Sequence, residues 1–299
     1  MSWEDDTIGS QRKHIGWGAR GFTLIELLVA ISIISLLMAI ALPALHSVRR
    51  KALALIGTHN QKEIATGVNV FALDNDDRYP QSVATVGFGD NWNWSDPTKL
   101  AGNRTRSPGL YRSMSAYLRS YIPEAKVMYC PNAPRRYKYL QQLWEAGDEW
   151  DNPETSFESD PAGGTYCFYW NYIGNLGDRL FRGPRGPAGG RGYSTVVVTD
   201  YFGYGHWRSP GAYGCCDEFD GADVTPETWL LSPYWSLQGD SSAAGPEITL
   251  RAGYADGHVE TYSTKEVVPM KVSITSDGTM PYPDDVGPGI FYLPAGAVR

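Results

Sequence analysis

The chain of 299 residues is short of most of what enzymes and nucleic-acid binders are built from. It has 5 histidines and 4 cysteines. No C-x-x-C spacing occurs, which leaves a zinc site weakly supported. Neither H-E-x-x-H nor G-x-S-x-G is present, so no motif ties a nucleophile or a metal-assisted base to a site, and no enzymatic activity is expected. Lysine and arginine total 26 against 33 aspartate and glutamate, a net charge of −7. With no basic block beyond Arg49-Arg50-Lys51, that balance argues against nucleic acid as a partner. There is no internal repeat of about 20–50 residues. The segment GPRGPAGGRG at 183–192 lacks a collagen-type array and reads as a flexible loop.

What the chain does have is one long apolar run. Residues 22–45 carry a single charge, Glu26. A helix of that length can cross a bilayer core. A carboxylate there is expensive, about 2.5–3.5 kcal/mol at the bilayer centre, so Glu26 marks a functional position. The apolar core of a secretory signal is shorter, about 7–15 residues, and ends at an A-x-A-like site. No such site follows at once. Arg20 and Gly21 stand directly before the run.

Gly21, Phe22, Thr23, Leu24, Ile25 and Glu26, in register with Pro43, resemble the N-terminus of type IV prepilins and type II secretion pseudopilins. In that family a prepilin peptidase cuts after the glycine and methylates the new terminal phenylalanine. The resemblance implies a leader over 1–21, processing at Gly21 and Phe22, and assembly roles for Glu26 and Pro43. The implied partners are prepilin peptidase, other pilin-like subunits in a homo- or hetero-filament, and the bacterial inner membrane, with the head in the periplasm. Cleavage would create a positive amine at Phe22, which Glu26 of a neighbouring subunit could neutralise. Unlike charges attract far more strongly in a low dielectric, and removing one leaves the other buried and uncompensated. The bland reading of Glu26 is a carboxylate that snorkels to the headgroups.

Beyond Pro43, Val48, Leu53, Ile56, Ile64, Val68 and Phe71 recur mostly at three- and four-residue steps, the stripe of an amphipathic helix. Asn60, Lys62, Glu63 and Asn69 fall on other faces. Asp74-Asn75-Asp76-Asp77 and Tyr79-Pro80 end the helix. At 1.5 Å per residue it would run roughly 75 Å from residue 22 to about 73. Its first half, apolar all round, suits lipid or a filament core; its one-sided second half suits packing on a globular head. The expected organisation is leader 1–21, filament-core helix 22–45, amphipathic half 46–73, an α+β head over 74–275 with a mainly antiparallel sheet, and a Pro/Gly-rich surface tail over 276–299.

Within the head, a short helix is expected near 110–121, a strand at 127–130, a helix at 137–146, and strands at 166–172 and 195–201, with loops over 81–108 and 147–164. Two β-like runs, 248–254 and 258–262, flank Asp256-Gly257, a hairpin signal because a two-residue turn demands positive φ. Asp256 and Gly257 therefore read as a structural turn, and Asp256 with His258 as its edge rather than as an acid–base pair. Residues 72–80, Tyr129-Cys130-Pro131, Tyr169-Trp170-Asn171-Tyr172, Val198-Thr199-Asp200 and the 254–259 hairpin are similar to large-headed pilin-like proteins of planctomycete type. Pro246 stands where many of those have a histidine.

Cys130, Cys167, Cys215 and Cys216 allow three pairings, among which sequence does not choose. A head outside the cytoplasm permits disulfides, and buried thiols are the alternative. Asp74, Asn75, Asp76 and Asp77, or Asp217, Glu218, Asp220 and Asp223, could offer calcium its oxygen ligands. A solvated helix-ending turn is the simpler reading of the first group, with Tyr79 at the glycine position of an EF-hand loop. No other cofactor is expected. Trp92 and Trp94, alternate residues of a polar loop, are candidates for an exposed contact surface. They support an alternative function, a membrane-tethered module binding, for example, polysaccharide and using pilin-type export.

Overall fold

The computed structural model describes residues 22–84, 97–102, 112–131, 139–151, 153, 162–176, 179–201, 203–204, 249–272 and 290–297. Gly21, Trp92, Trp94, Cys215, Cys216 and the acidic group at 217–223 lie outside them. The chain divides into two compact units, Met1–Val48 and Arg49–Arg299.

One helix, α1 (Leu24–Leu73), runs through 50 residues. Its start is written locally. Thr23 Oγ1 accepts the N–H of Glu26 at 3.2 Å, and Glu26 Oε2 accepts the N–H of Thr23 at 2.9 Å and its hydroxyl at 2.8 Å. This reciprocal pair is a capping box. The far end closes where the Asn75 and Asp77 N–H groups both reach the Ala72 carbonyl, at 3.0 and 2.9 Å. Asp76 and Asp77 adopt φ of 53° and 55° there, a left-handed region that aspartate tolerates better than most residues. The Asn75 side chain donates to the Phe71 carbonyl at 2.8 Å. The acidic run is thus a helix-terminating turn.

In the first unit α1 is apolar and bare. Every residue from Phe22 to Val48 is exposed except Ala30 and Ser47, which are half-exposed. Two of its hydroxyls are satisfied within the helix, Ser32 to the Leu28 carbonyl and Ser35 to the Ile31 carbonyl, each at 2.7 Å. The helix continues through Pro43, whose missing N–H removes a bond to the carbonyl of Ala39.

The second unit is α+β. Its strands are β1 (Lys99–Ala101), β2 (Ala162–Gly163), β3 (Tyr166–Phe168), β4 (Ile173–Leu176), β5 (Arg179–Arg182), β6 (Val196–Asp200), β7 (Gly203–Tyr204), β8 (Thr249–Tyr254), β9 (Val259–Ser263), β10 (Val267–Val272) and β11 (Ile290–Pro294). All named pairings are antiparallel, in sheets ordered β3-β6-β8-β9, β5-β4-β10-β11-β7 and β1-β2. The four-stranded sheet is the middle layer. Side chains alternate along each strand, so Tyr166 and Phe168 join Ile64, Ala65 and Val68 of α1. Cys167, Val196, Ala252 and Tyr254 instead meet Phe181, Met270, Phe291 and Leu293 of the five-stranded sheet. The short helices α2 (Met114–Leu118) and α3 (Leu140–Ala146) complete the core on the α1 side. A long N-terminal apolar helix whose second half packs on an antiparallel sheet is the pilin-like α+β arrangement that the sequence implies.

Several local expectations need correction. Residues 127–130 belong not to a strand but to a 3-10 turn, Ala125–Met128, and its exit. Val127, Met128, Tyr129 and Cys130 are all buried, which a strand with one face on a core could not arrange. The strand expected over 166–172 stops at Phe168. Asn171 takes φ 51° and the Tyr172 N–H closes a turn on the Tyr169 carbonyl at 3.1 Å. The expected loop 81–108 contains β1. Residues 290–294 are no surface tail: β11 pairs with both β10 and β7, with Phe291 and Leu293 buried. The 183–192 loop is tied down, because the Tyr79 N–H donates to the Arg185 carbonyl at 2.8 Å and the Asn171 N–H to the Pro184 carbonyl at 2.9 Å. A Cβ at Gly183 would lie 1.5 Å from the Tyr169 carbonyl oxygen, so only glycine fits that approach.

Candidate functional site

The residues singled out by sequence fall in separate places. Phe22 and Glu26 sit at the start of α1. Both are exposed, Phe22 to 75%, and Pro43 lies within the helix. Among the described residues of the first unit, Thr23 is the hydrogen-bond partner of Glu26. α1 is the one helix among the described residues long and apolar enough to cross a membrane. The sequence argument gave Glu26 no local role; the structure gives it one, as the first-turn acceptor of the capping box, three residues after Thr23. Thr23-x-x-Glu26 is the visible signature of that box and was the signal available. A cap alone is worth about 0.5–2 kcal/mol, less than the burial of a carboxylate in lipid costs. Capping therefore does not by itself account for Glu26 in an apolar run.

The head half of α1 buries amides, among them Asn60, which the pattern reading placed off the apolar stripe. Asn60 is only 8% exposed and donates to the Tyr129 carbonyl at 3.0 Å. Asn69 donates to the Ala255 carbonyl at 2.7 Å and accepts the Tyr79 hydroxyl at 2.6 Å. Burial pushes the Tyr79 hydroxyl's pKa well up, so it stays a donor. Gln61 is fully buried, and its Nε2 donates to Asp200 Oδ1 at 2.8 Å. Asp200 Oδ2 in turn takes the Arg251 N–H at 3.1 Å and lies 3.5 Å from its guanidinium. Asp200 and Arg251 are 1% and 5% exposed. Buried charges survive only when paired and hydrogen-bonded, so this chain of contacts fixes α1 against β6 and β8 in one register. Of the apolar stripe read from sequence, Ile64 and Val68 are buried, whereas Val48 and Ile56 are exposed to 62% and 48%.

The last hairpin is a turn of a different type from the expected one. The Tyr254 N–H donates to the His258 carbonyl and the Gly257 N–H to the Tyr254 carbonyl, both at 2.9 Å. Three residues, Ala255 to Gly257, make the loop, and Gly257 alone of them has positive φ, 86°. This is a type I turn followed by a left-handed glycine. Asp256 Oδ1 accepts the His258 N–H at 3.2 Å and contacts its ring Nδ1. The backbone bond foremost, then the imidazole, hold the Asp256 carboxyl below its ordinary range. His258 stacks on Tyr254 with centroids 4.3 Å apart. Tyr254 also contacts the Tyr262 hydroxyl, which donates to Glu260. All of these contacts are local turn and strand chemistry.

Cys130 and Cys167 are both buried, in different core clusters. Among the described residues no group of three His, Cys, Asp or Glu side chains is placed to hold a metal ion.

Compared with known families, residues 18–42 match the prokaryotic N-terminal methylation motif. No curated protein matches the chain. No solved structure matches it either.

Proposed function

From the methylation motif at its N-terminus, we propose that this chain is a non-enzymatic subunit of a type II secretion pseudopilus or type IV pilus-like filament. Prepilin peptidase cuts between Gly21 and Phe22 and methylates Phe22. The protein waits in the bacterial inner membrane as a single-pass chain with its head in the periplasm. It then moves with homologous or identical subunits into a filament. The observation that carries this reading is the bare apolar half of α1, most of which lies within the matched methylation motif. Lipid and a bundle of like helices are equally apolar, so the transfer is nearly neutral in hydrophobic free energy. Specificity must then come from the few polar groups, and Glu26 facing a neighbour's Phe22 amine supplies one. Pro43 loosens the helix locally by removing one backbone bond. The large head, with its motifs similar to large-headed pilin-like proteins, is the part that varies with the task.

Electron microscopy of cells with and without the gene, alongside a Gly21→Glu variant, tests the proposal. The wild type should label filaments. Gly21→Glu should remain a membrane protein of unprocessed size and be missing from them. Filaments containing the uncut variant would contradict the reading.

A further inference from the structure

Strand β5 and the loop joining it to β6 carry charge out of keeping with the rest of the chain. Residues 179–191 hold Arg179, Arg182, Arg185 and Arg191 with no aspartate or glutamate, in a protein of net charge −7. All four are exposed. None makes an ion pair among the described residues. One of them, Arg191, helps line a cavity of about 600 Å³ bounded by residues 188–195 and by Gly296 and Ala297.

The cavity's chemistry is specific. The N–H groups of Gly190, Arg191 and Gly192 meet no acceptor among the described residues. They surround a turn that the Tyr193 N–H closes on the Gly190 carbonyl at 3.1 Å, with Gly192 at φ 79°. Successive N–H groups on such turns form anion-binding concavities. Arg185 lies 4.8 Å over the ring of half-buried Tyr193, which holds its guanidinium by cation–π attraction against a residue that lines the cavity. The loop is fixed from behind by the Tyr79 and Asn171 hydrogen bonds and by Gly186, where a Cβ would lie 2.1 Å from the Asp77 carbonyl oxygen. A pre-organised loop loses little on binding.

We propose that this cavity binds a carboxylate-bearing sugar, the uronate unit of an acidic polysaccharide. The Arg191 guanidinium would take the carboxylate, because its fork matches two carboxylate oxygens. The loop N–H groups and the Thr195 hydroxyl would take ring hydroxyls, and Tyr193 the sugar's apolar face. Size separates this ligand from a bare anion. A site of about 300–1,000 Å³ suits a small organic molecule, whereas an inorganic phosphate would leave most of the cavity to water. The proposal stands apart from filament assembly: it concerns what the head holds, whichever scaffold displays it.

Calorimetric titration of the full-length protein in detergent tests it, with trigalacturonate, neutral galactotriose, inorganic phosphate and a ten-nucleotide oligothymidylate as probes. Trigalacturonate should bind at least tenfold more tightly than each of the others. Arg191→Gln should weaken it at least tenfold, Arg191→Lys should restore part of the loss, and Arg185→Gln should cost severalfold, all at an unchanged thermal midpoint. Equal binding of galactotriose, phosphate or the oligonucleotide, or trigalacturonate affinity indifferent to Arg191→Gln, would overturn the assignment.

Discussion

The two halves of α1 invert the usual relation between polarity and burial. From Leu24 to Val48 the helix is apolar and exposed. From Gly57 to Ala72 its buried positions are Gly57, Asn60, Gln61, Ile64, Ala65, Gly67, Val68 and Ala72, half of them small and two of them amides. The difference shows where each half finds its partner. A half with small and polar buried residues has its partner within the chain, since amides survive burial only against placed acceptors and donors. At Gly67, a Cβ would fall 2.5 Å from Ile122 Cγ1, a close approach that no second molecule could be relied on to supply. A half that exposes a continuous apolar surface much larger than single scattered residues has its partner elsewhere.

The sharpest way to break this comparison is at Glu26. Glutamine keeps the capping box, since Gln serves as well as Glu at that position, but it lacks the charge. Glu26→Gln should therefore insert and fold as wild type, yet be lost from filaments almost completely, as measured by immunogold labelling. Thr23→Val breaks the cap and keeps the carboxylate, and should still assemble. If Glu26→Gln assembled normally while Thr23→Val did not, the residue would be a cap and nothing more.

On the head side, Asp200→Ala strips Gln61 and the Arg251 guanidinium of their shared acceptor. Removing one member of a buried pair costs about 3–5 kcal/mol, which urea unfolding of the full chain in detergent would register. Leu37→Ala, in the bare half, should leave that transition where it was. Equal effects of the two would erase the distinction between the halves.

The helix limits were legible in the sequence: residues 22–73 were expected and Leu24–Leu73 is found. They are written in local signals, an apolar run at one end and an aspartate cluster before Tyr79-Pro80 at the other. The burial of Asn60 and Gln61 was not legible. Their partners, Tyr129, Asp200 and Arg251, lie 69 to 190 residues away, and a stripe count assigns any amide to solvent. The five-stranded sheet was missed for a similar reason. Its strands β4, β5 and β11 are only 4–5 residues long, with Gly174 inside β4 and Pro294 at the end of β11, so only their pairing defines them. At the candidate site the motif around Gly21, Phe22 and Glu26 needed no fold to be seen, whereas the arginine loop became a cavity only when β5, β6 and the end of β11 came together.

Smaller effects belong to the last hairpin. Gly257→Val places a β-branched residue in a left-handed conformation and should cost about 1–2 kcal/mol or more of head stability. His258→Ala removes one stacking face and one contact to Asp256, and should shift the unfolding midpoint only slightly. Its mark should depend on pH. Asp256 has a folded pKa below its unfolded value of 3.8, so its contribution is present above pH 3.8 and lost as pH falls through the lower folded value. Because Asp256 is exposed, the effect is small. His258→Ala keeps the backbone bond that is the main cause of the shift, so it should lower stability only slightly above pH 3.8 and make no difference once pH falls below the folded value.

The most direct test is mass spectrometry of the N-terminal peptide from protein recovered from its native membrane and from sheared surface material. The account predicts a chain beginning at N-methyl-Phe22 in both fractions. An intact leader, or a first residue well inside the apolar run, would contradict it.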